Sequence, residues 1–185
     1  MTIRFENHSD NNRDQAVFCA DVKDPIVWRV VDPLPLDGFA LLSTDGPSLQ
    51  AAWDGGASGI RNADPFGDFD FSDFAFLRTS RGENGRFAVT NTTRSPGGIA
   101  FRLSEGSEPF IAPPPIAYQQ RLVLRMPREI RVVLARGAVA GERLDPDTIL
   151  QEVATFTLHP RRETIVTLHG DLSGGYFASV SAQPL

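Results

Sequence analysis

No stretch of this chain keeps an apolar period of 3.6 for more than about two helical turns, and that limits its fold more than any other feature. Glycine and proline, 16 and 14 among 185 residues, recur with Asn and Asp from one end to the other. Each proline removes a ladder donor and biases its predecessor towards extended geometry, so the breakers cut the chain into short runs. The runs alternate in polarity: in Thr2–Asn7, Ile3 and Phe5 share one face while Arg4 and Glu6 share the other. Short alternating runs without helical periodicity make an all-β chain.

In order, the runs are Thr2–Asn7, Gln15–Ala20, Ile26–Val31, Phe39–Ser43, Ser48–Trp53, Phe74–Thr79, Arg86–Asn91 and Ile99–Leu103. After them come Arg121–Met126, Ile130–Arg136, Glu152–His159, Thr164–Leu168 and Tyr176–Ser181. Phe39–Ser43 reads as a buried strand, whereas Ser48–Trp53 fits a strand or one helical turn. Asn84-Gly85 predicts a hairpin joining Phe74–Thr79 to Arg86–Asn91, because both central residues of such a turn need positive φ. Pro109–Pro115, with three consecutive prolines, predicts an extended surface crossing between two sheets. About ten or eleven strands at this spacing suit a single antiparallel β-sandwich of jelly-roll type better than an open sheet with long bare edges. The sequence displays no internal repeat and no linker, so one domain spanning 1–185 is expected.

Composition narrows the function classes. The net charge of −5 argues against a nucleic-acid partner. There is no apolar run near the 18 residues that a spanning helix needs, although membrane contact by other means stays open. The lone Cys19 cannot close an intramolecular disulfide, which favours a cytoplasmic setting, with secretion by a signal-independent route as the alternative.

The one unusual stretch is Asp64–Leu77, DPFGDFDFSDFAFL. At strand period Asp68 and Asp70 share one face and Phe69 and Phe71 the other. The carboxylates Asp64, Asp68 and Asp70 are candidate ligands for calcium, a hard cation that takes oxygen donors, but the spacing is not that of an EF-hand. The other reading is a solvated acidic face above core phenylalanines. Parity also fails along the stretch: Phe74 and Phe76 share a phase with Asp68 and Asp70, which predicts a break near Ser72. The expected result is an acidic loop or edge followed by a core strand from Phe74.

Trp53 and Asp54, in the loop-like Trp53-Asp54-Gly55-Gly56, are candidate ligand-binding residues. Sugar-binding sandwiches stack a ring on an exposed aromatic and hold hydroxyls with Asp and backbone groups; the alternative is an aromatic packed on a sheet. No nucleophile elbow, zinc-binding helix, phosphate loop or dinucleotide fingerprint occurs. Cys19 sits in an apolar strand pattern that favours a buried, inert thiol. His159 and His169 fall at opposite ends of two consecutive strands, which argues against a shared metal.

The runs Thr2-Ile-Arg-Phe-Glu-Asn-His-Ser, Gln15-Ala-Val-Phe-Cys and Val27-Trp-Arg-Val-Val resemble the opening of small bacterial proteins of the rhizosphere-induced protein type. That resemblance covers the first quarter of the chain and implies a small bacterial β-sandwich with no catalytic residues to carry over. The sequence thus leads to a non-catalytic binding or assembly module, its partner a small ligand such as a carbohydrate, with or without a cation, or a second copy of itself. A membrane-active or interbacterial-competition protein is the second reading. An enzyme with an acid–base pair assembled from distant aspartates is the third.

Overall fold

The computed structural model describes residues 2–20, 25–43, 47–61, 67–81, 86–105, 108–125, 129–158 and 162–184. Asp64, the Asn84-Gly85 tip and His159 lie outside them. No α-helix occurs among the described residues; beyond strands there is one 3-10 turn, Pro146–Thr148. The first eight strands are β1 (Thr2–Ser9), β2 (Gln15–Ala20), β3 (Ile26–Val31), β4 (Phe39–Ser43), β5 (Pro47–Trp53), β6 (Gly56–Arg61), β7 (Gly67–Ser72) and β8 (Ala75–Arg81). They are followed by β9 (Arg86–Asn91), β10 (Ala100–Glu105), β11 (Glu108–Ile111), β12 (Arg121–Arg125), β13 (Glu129–Ala135), β14 (Ile149–Thr157), β15 (Arg162–Asp171) and β16 (Gly175–Pro184). The chain divides into two compact units, Met1–Thr44 with Pro127–Leu185, and Asp45–Met126.

The first unit holds two four-stranded sheets, ordered β16-β15-β1-β4 and β14-β13-β2-β3. Ile3, Phe5, Val166 and Leu168 of one sheet are buried, as are Ala16, Phe18, Ile130 and Val132 of the other. Phe5 meets Phe18 edge to face at 5.9 Å. The second sheet is apolar on its other face too. There the connection from β13 to β14 forms a strap that lays Ala138, Ala140 and Leu144 over Val17, Cys19, Val133 and Ala135. Gly141 N donates to Val27 O at 2.7 Å and Val27 N to Glu142 O at 2.8 Å, tying the strap to the edge of β3. Burial on both faces is why Gln15–Ala20 and Ile130–Ala135 read as nearly unbroken apolar runs.

The second unit also holds two four-stranded sheets, β11-β10-β5-β6 and β12-β9-β7-β8. Leu49, Ala51, Phe101 and Leu103 from the first share one apolar cluster with Phe69, Phe71, Phe87, Val89 and Leu124 from the second. Phe71 is central to it, with ring centroids 4.9 Å from Phe76 and 5.3 Å from Phe101. Edge-to-face aromatic pairs of this kind add about 0.5–1.5 kcal/mol each beyond the area they bury.

The two units have the same strand plan. If β1–β4 are matched with β9–β12, and β13–β16 with β5–β8, each sheet of one unit becomes a sheet of the other, with every pairing partner and direction preserved. In the β1–β4 and β9–β12 ladders the register agrees as well: Ile3 opposes Leu42 as Phe87 opposes Leu124, and Phe5 opposes Ala40 as Val89 opposes Leu122. A buried asparagine ends the first strand of each set. Asn7 accepts from Ser9 N at 3.1 Å through its side-chain oxygen and donates to Leu34 O at 2.8 Å. Asn91 accepts from Thr93 N at 3.0 Å and donates to Ile116 O at 3.2 Å. Their backbone carbonyls accept from Asp37 N and Gln119 N, residues with φ of 61° and 64°. The chain therefore runs twice through one strand order, and each unit takes half of its strands from each pass.

Several expectations are corrected. The described residues form sixteen strands in place of the expected ten or eleven; among the additions, Gly56–Arg61 pairs as a strand despite its glycines, Gly67–Ser72 is a strand, and Glu108–Ile111 adds an edge strand ahead of the three consecutive prolines. Ser48–Trp53 belongs to a strand. The pairing is not purely antiparallel, since β1 runs parallel to β15 and β7 parallel to β9. Phe39–Ser43 forms an edge strand, with Phe39 55% and Leu41 57% exposed. The expected hairpin between Phe74–Thr79 and Arg86–Asn91 is absent: β8 pairs with β7 through a turn at Asp73-Phe74, and β9 pairs with β7 and β12. The break predicted near Ser72 is this turn, where Asp73 and Phe74 have φ of 50° and 62°. Positive φ at both central residues is what a tight hairpin demands, at a cost of roughly 1–2 kcal/mol for a residue such as phenylalanine. Packing of the Phe74 ring on Trp53, centroids 4.7 Å apart, offsets it.

Candidate functional site

Burial alternates along GDFDFS in β7, so Gly67–Asp70 is strand and not loop. Phe69 and Phe71 enter the core, and Asp68 and Asp70 lie on the open face of the β12-β9-β7-β8 sheet. Asp68 is engaged there: its carboxylate lies 3.3 Å from the Arg121 guanidinium and accepts from Ser80 Oγ at 3.2 Å. Among the described residues no group of three or more His, Cys, Asp or Glu side chains is placed to hold a metal ion.

Trp53 and Asp54 do sit at a turn, with Gly55 at φ 100°, yet the indole is half-buried. It packs on Phe71 and Phe74. Gly56 lies so close that a Cβ there would stand 2.8 Å from the indole ring, so only glycine fits. The aromatic this corner shows to solvent is Phe74, 42% exposed.

One polar and aromatic grouping among the described residues is not announced by the sequence. It occupies the open face of the β16-β15-β1-β4 sheet. Parallel pairing sets His8 beside His169, and antiparallel pairing sets His169 beside Phe177. The two imidazole centroids are 5.9 Å apart, and the His169 ring stacks on Phe177 at 5.3 Å. His169 Nε2 and Ser179 Oγ share a hydrogen bond of 2.9 Å. Around them, Glu6 forms an ion pair with Arg4 at 2.7 Å and approaches His8 Nε2 at 3.9 Å, Asp37 comes to 4.0 Å of the same nitrogen, and Arg4 covers the Phe39 ring at 4.7 Å. Phe177 is 59% exposed. Alternation along β1 places Arg4, Glu6 and His8 on one face, but the partners lie at the far end of the chain, and no local pattern announces that parallel pairing.

The second open surface is a groove of about 530 Å³ on the β11-β10-β5-β6 sheet, lined by Gln50, Ala57, Ser58, Gly59 and Arg102. Arg102 stands directly opposite Gln50 in the ladder. The Gln50 side-chain oxygen accepts from Ser104 Oγ at 3.3 Å. Arg102 has no ion-pair partner among the described residues.

Cys19 is fully buried, and burial pushes its thiol up to about 11 against a weaker downward pull from Arg131; a thiol held protonated is no nucleophile. Ser179 and His169 form the first two members of a nucleophile relay, yet among the described residues no carboxylate reaches His169 to orient its ring. No helix among the described residues is long and apolar enough to cross a membrane. Comparison with protein-family models, curated proteins and solved structures finds no match to this chain.

Proposed function

We propose that this chain is a pair of β-sandwiches serving as a non-catalytic binding module, with the open β16-β15-β1-β4 face as its contact surface and a carbohydrate as its ligand class. One observation carries the reading: the exposed Phe177 ring stacks on His169 at one end of a row of polar side chains that runs through His8 to Glu6 and Asp37, with Ser179 bonded to His169. A flat ring held from behind gives the apolar face of a pyranose something to stack on, and carboxylate and imidazole groups hold its hydroxyls. The test is a thermal-shift and calorimetric screen against a glycan panel, each with and without calcium. A hit should raise the melting temperature as RT ln(1 + [L]/Kd) and vanish in Phe177→Ala. A panel without hits, or hits indifferent to Phe177→Ala, sinks the reading.

Self-assembly is the second reading, favoured by Phe39 and Leu41. Both are more than half exposed on β4, an edge strand of that same sheet, and bare apolar edges recruit further strands. Sedimentation tests it: an oligomer that Leu41→Lys disperses supports assembly, and a monomer at all concentrations excludes it.

A further inference from the structure

The groove on the β11-β10-β5-β6 sheet has a counterpart in the first unit, and there it is full. Under the strand matching given above, the corresponding face is that of the β14-β13-β2-β3 sheet, where the chain's own strap crosses with Ala138 and Ala140 against Val17, Cys19 and Val133. The strap is held at the sheet edge by backbone hydrogen bonds to Val27 and by the Ile26–Arg143 bridge. In the second unit the matching connection is only the Asp54-Gly55 turn, closing directly from Trp53 to Gly56, so that connection lays no strap over the sheet.

Charge separates the two faces as well. In the first unit Arg131, on the covered sheet, is neutralised by Glu152 at 2.7 Å. In the second, Arg102 projects from the same side of its sheet with the neutral Gln50 opposite and no carboxylate among the described residues. Small residues, Ala57, Ser58 and Gly59, form the rest of the lining and leave room for a main chain to approach closely.

We propose that this groove is the seat of an extended acidic peptide segment, which lies across the second unit as the strap lies across the first, its small residues over Ala57 and Gly59 and its carboxylate on Arg102. The site is separate from the proposed carbohydrate face and does not depend on it. A half-buried arginine offered a carboxylate gains a charge-assisted hydrogen bond, the strongest specific term such a shallow site supplies.

The full-length protein provides the test, with a fluorescein-labelled peptide GAVAGE copying Gly137–Glu142 of the strap as probe and GAVAGQ as its neutral control. Anisotropy should rise saturably with wild type, with half-saturation on the order of 1 mM or tighter, and at least tenfold more protein should be needed with GAVAGQ or with Arg102→Gln. A second variant, Gln50→Glu, places a carboxylate opposite Arg102 and should likewise exclude the probe while leaving the Trp53 emission of the folded unit unchanged. Absence of saturable binding to wild type overturns the proposal, and so does binding that Arg102→Gln and Gln50→Glu leave intact.

Discussion

The first unit closes one of its sheets beneath its own chain, while the second leaves the matching sheet open. Strand order and pairing are shared, and the two sheets differ in one connection: Arg136–Thr148 between β13 and β14, against Asp54-Gly55 between β5 and β6. The side chains beneath follow suit, with Val17, Cys19 and Val133 under the strap and Gln50, Arg102 and Ala57 in the open. A common frame thus fixes where strands run, and loop length decides which faces meet water. The open face accordingly presents the polar Gln50 and Arg102, and the closed one buries apolar side chains.

The most severe way to break the comparison is to empty one core and leave the other alone. The chain has two tryptophans, Trp28 in the first unit and Trp53 in the second, so their emission follows each unit separately. Phe71→Ala should cost about 3–5 kcal/mol and lower the urea midpoint seen by Trp53 in a Trp28→Phe background. A comparable fall in the Trp28 midpoint, read in a Trp53→Phe background, would show the units unfolding as one.

The asparagines come next. Asn7→Ala and Asn91→Ala each strand buried backbone groups and should each cost about 2–4 kcal/mol, read by the tryptophan of the affected unit. Near-equal losses sharpen the equivalence; a negligible loss at either position breaks it.

The strap is tested through the thiol it covers. Leu144→Ala should cost about 2–3 kcal/mol and bring Cys19 into reaction with a thiol reagent that leaves the native protein untouched. Cys19 also gives the first unit a pH dependence. The folded thiol keeps its proton up to about 11, whereas an unperturbed one loses it near 9.0. Between those values the folded state binds more protons, so this contribution is intact below pH 9 and declines as pH rises towards 11. Denaturation midpoints across that window should fall less steeply in Cys19→Ala. An unchanged slope would mean that the thiol is more accessible than its burial implies.

The smallest effect belongs to the acidic face. Arg121→Ala breaks a half-exposed pair with Asp68 and should cost less than about 1 kcal/mol by urea titration. A larger loss would mean that the surface pair does structural work.

Part of this was legible before folding. The alternation in Thr2–Asn7 marks the buried and open faces of β1 correctly, and the parity failure along DPFGDFDFSDFAFL locates the turn within two residues. Phe39–Ser43 misleads because it is an edge strand on which Phe39 and Leu41 stay more than half exposed, a fact that hydropathy does not encode. The candidate face is harder still. His8 lies one residue beyond the alternating run Thr2–Asn7 although β1 extends through Ser9, and its contact with His169 rests on a parallel pairing across nearly the whole chain, whose register no local pattern carries.

The repeat shows the boundary most clearly. Residue chemistry alone determined that the chain is β throughout, where it turns, and which face of most strands is apolar, since those depend on neighbours one or two positions away. Tertiary structure alone decided that Asn7 and Asn91 do the same work, that β1–β4 and β13–β16 complete one unit around the other's strands in the sequence, and that one sheet face stays bare. Pairing depends on which edges and apolar faces find one another in space, and two passes can keep the same pairings while sharing few of their residues.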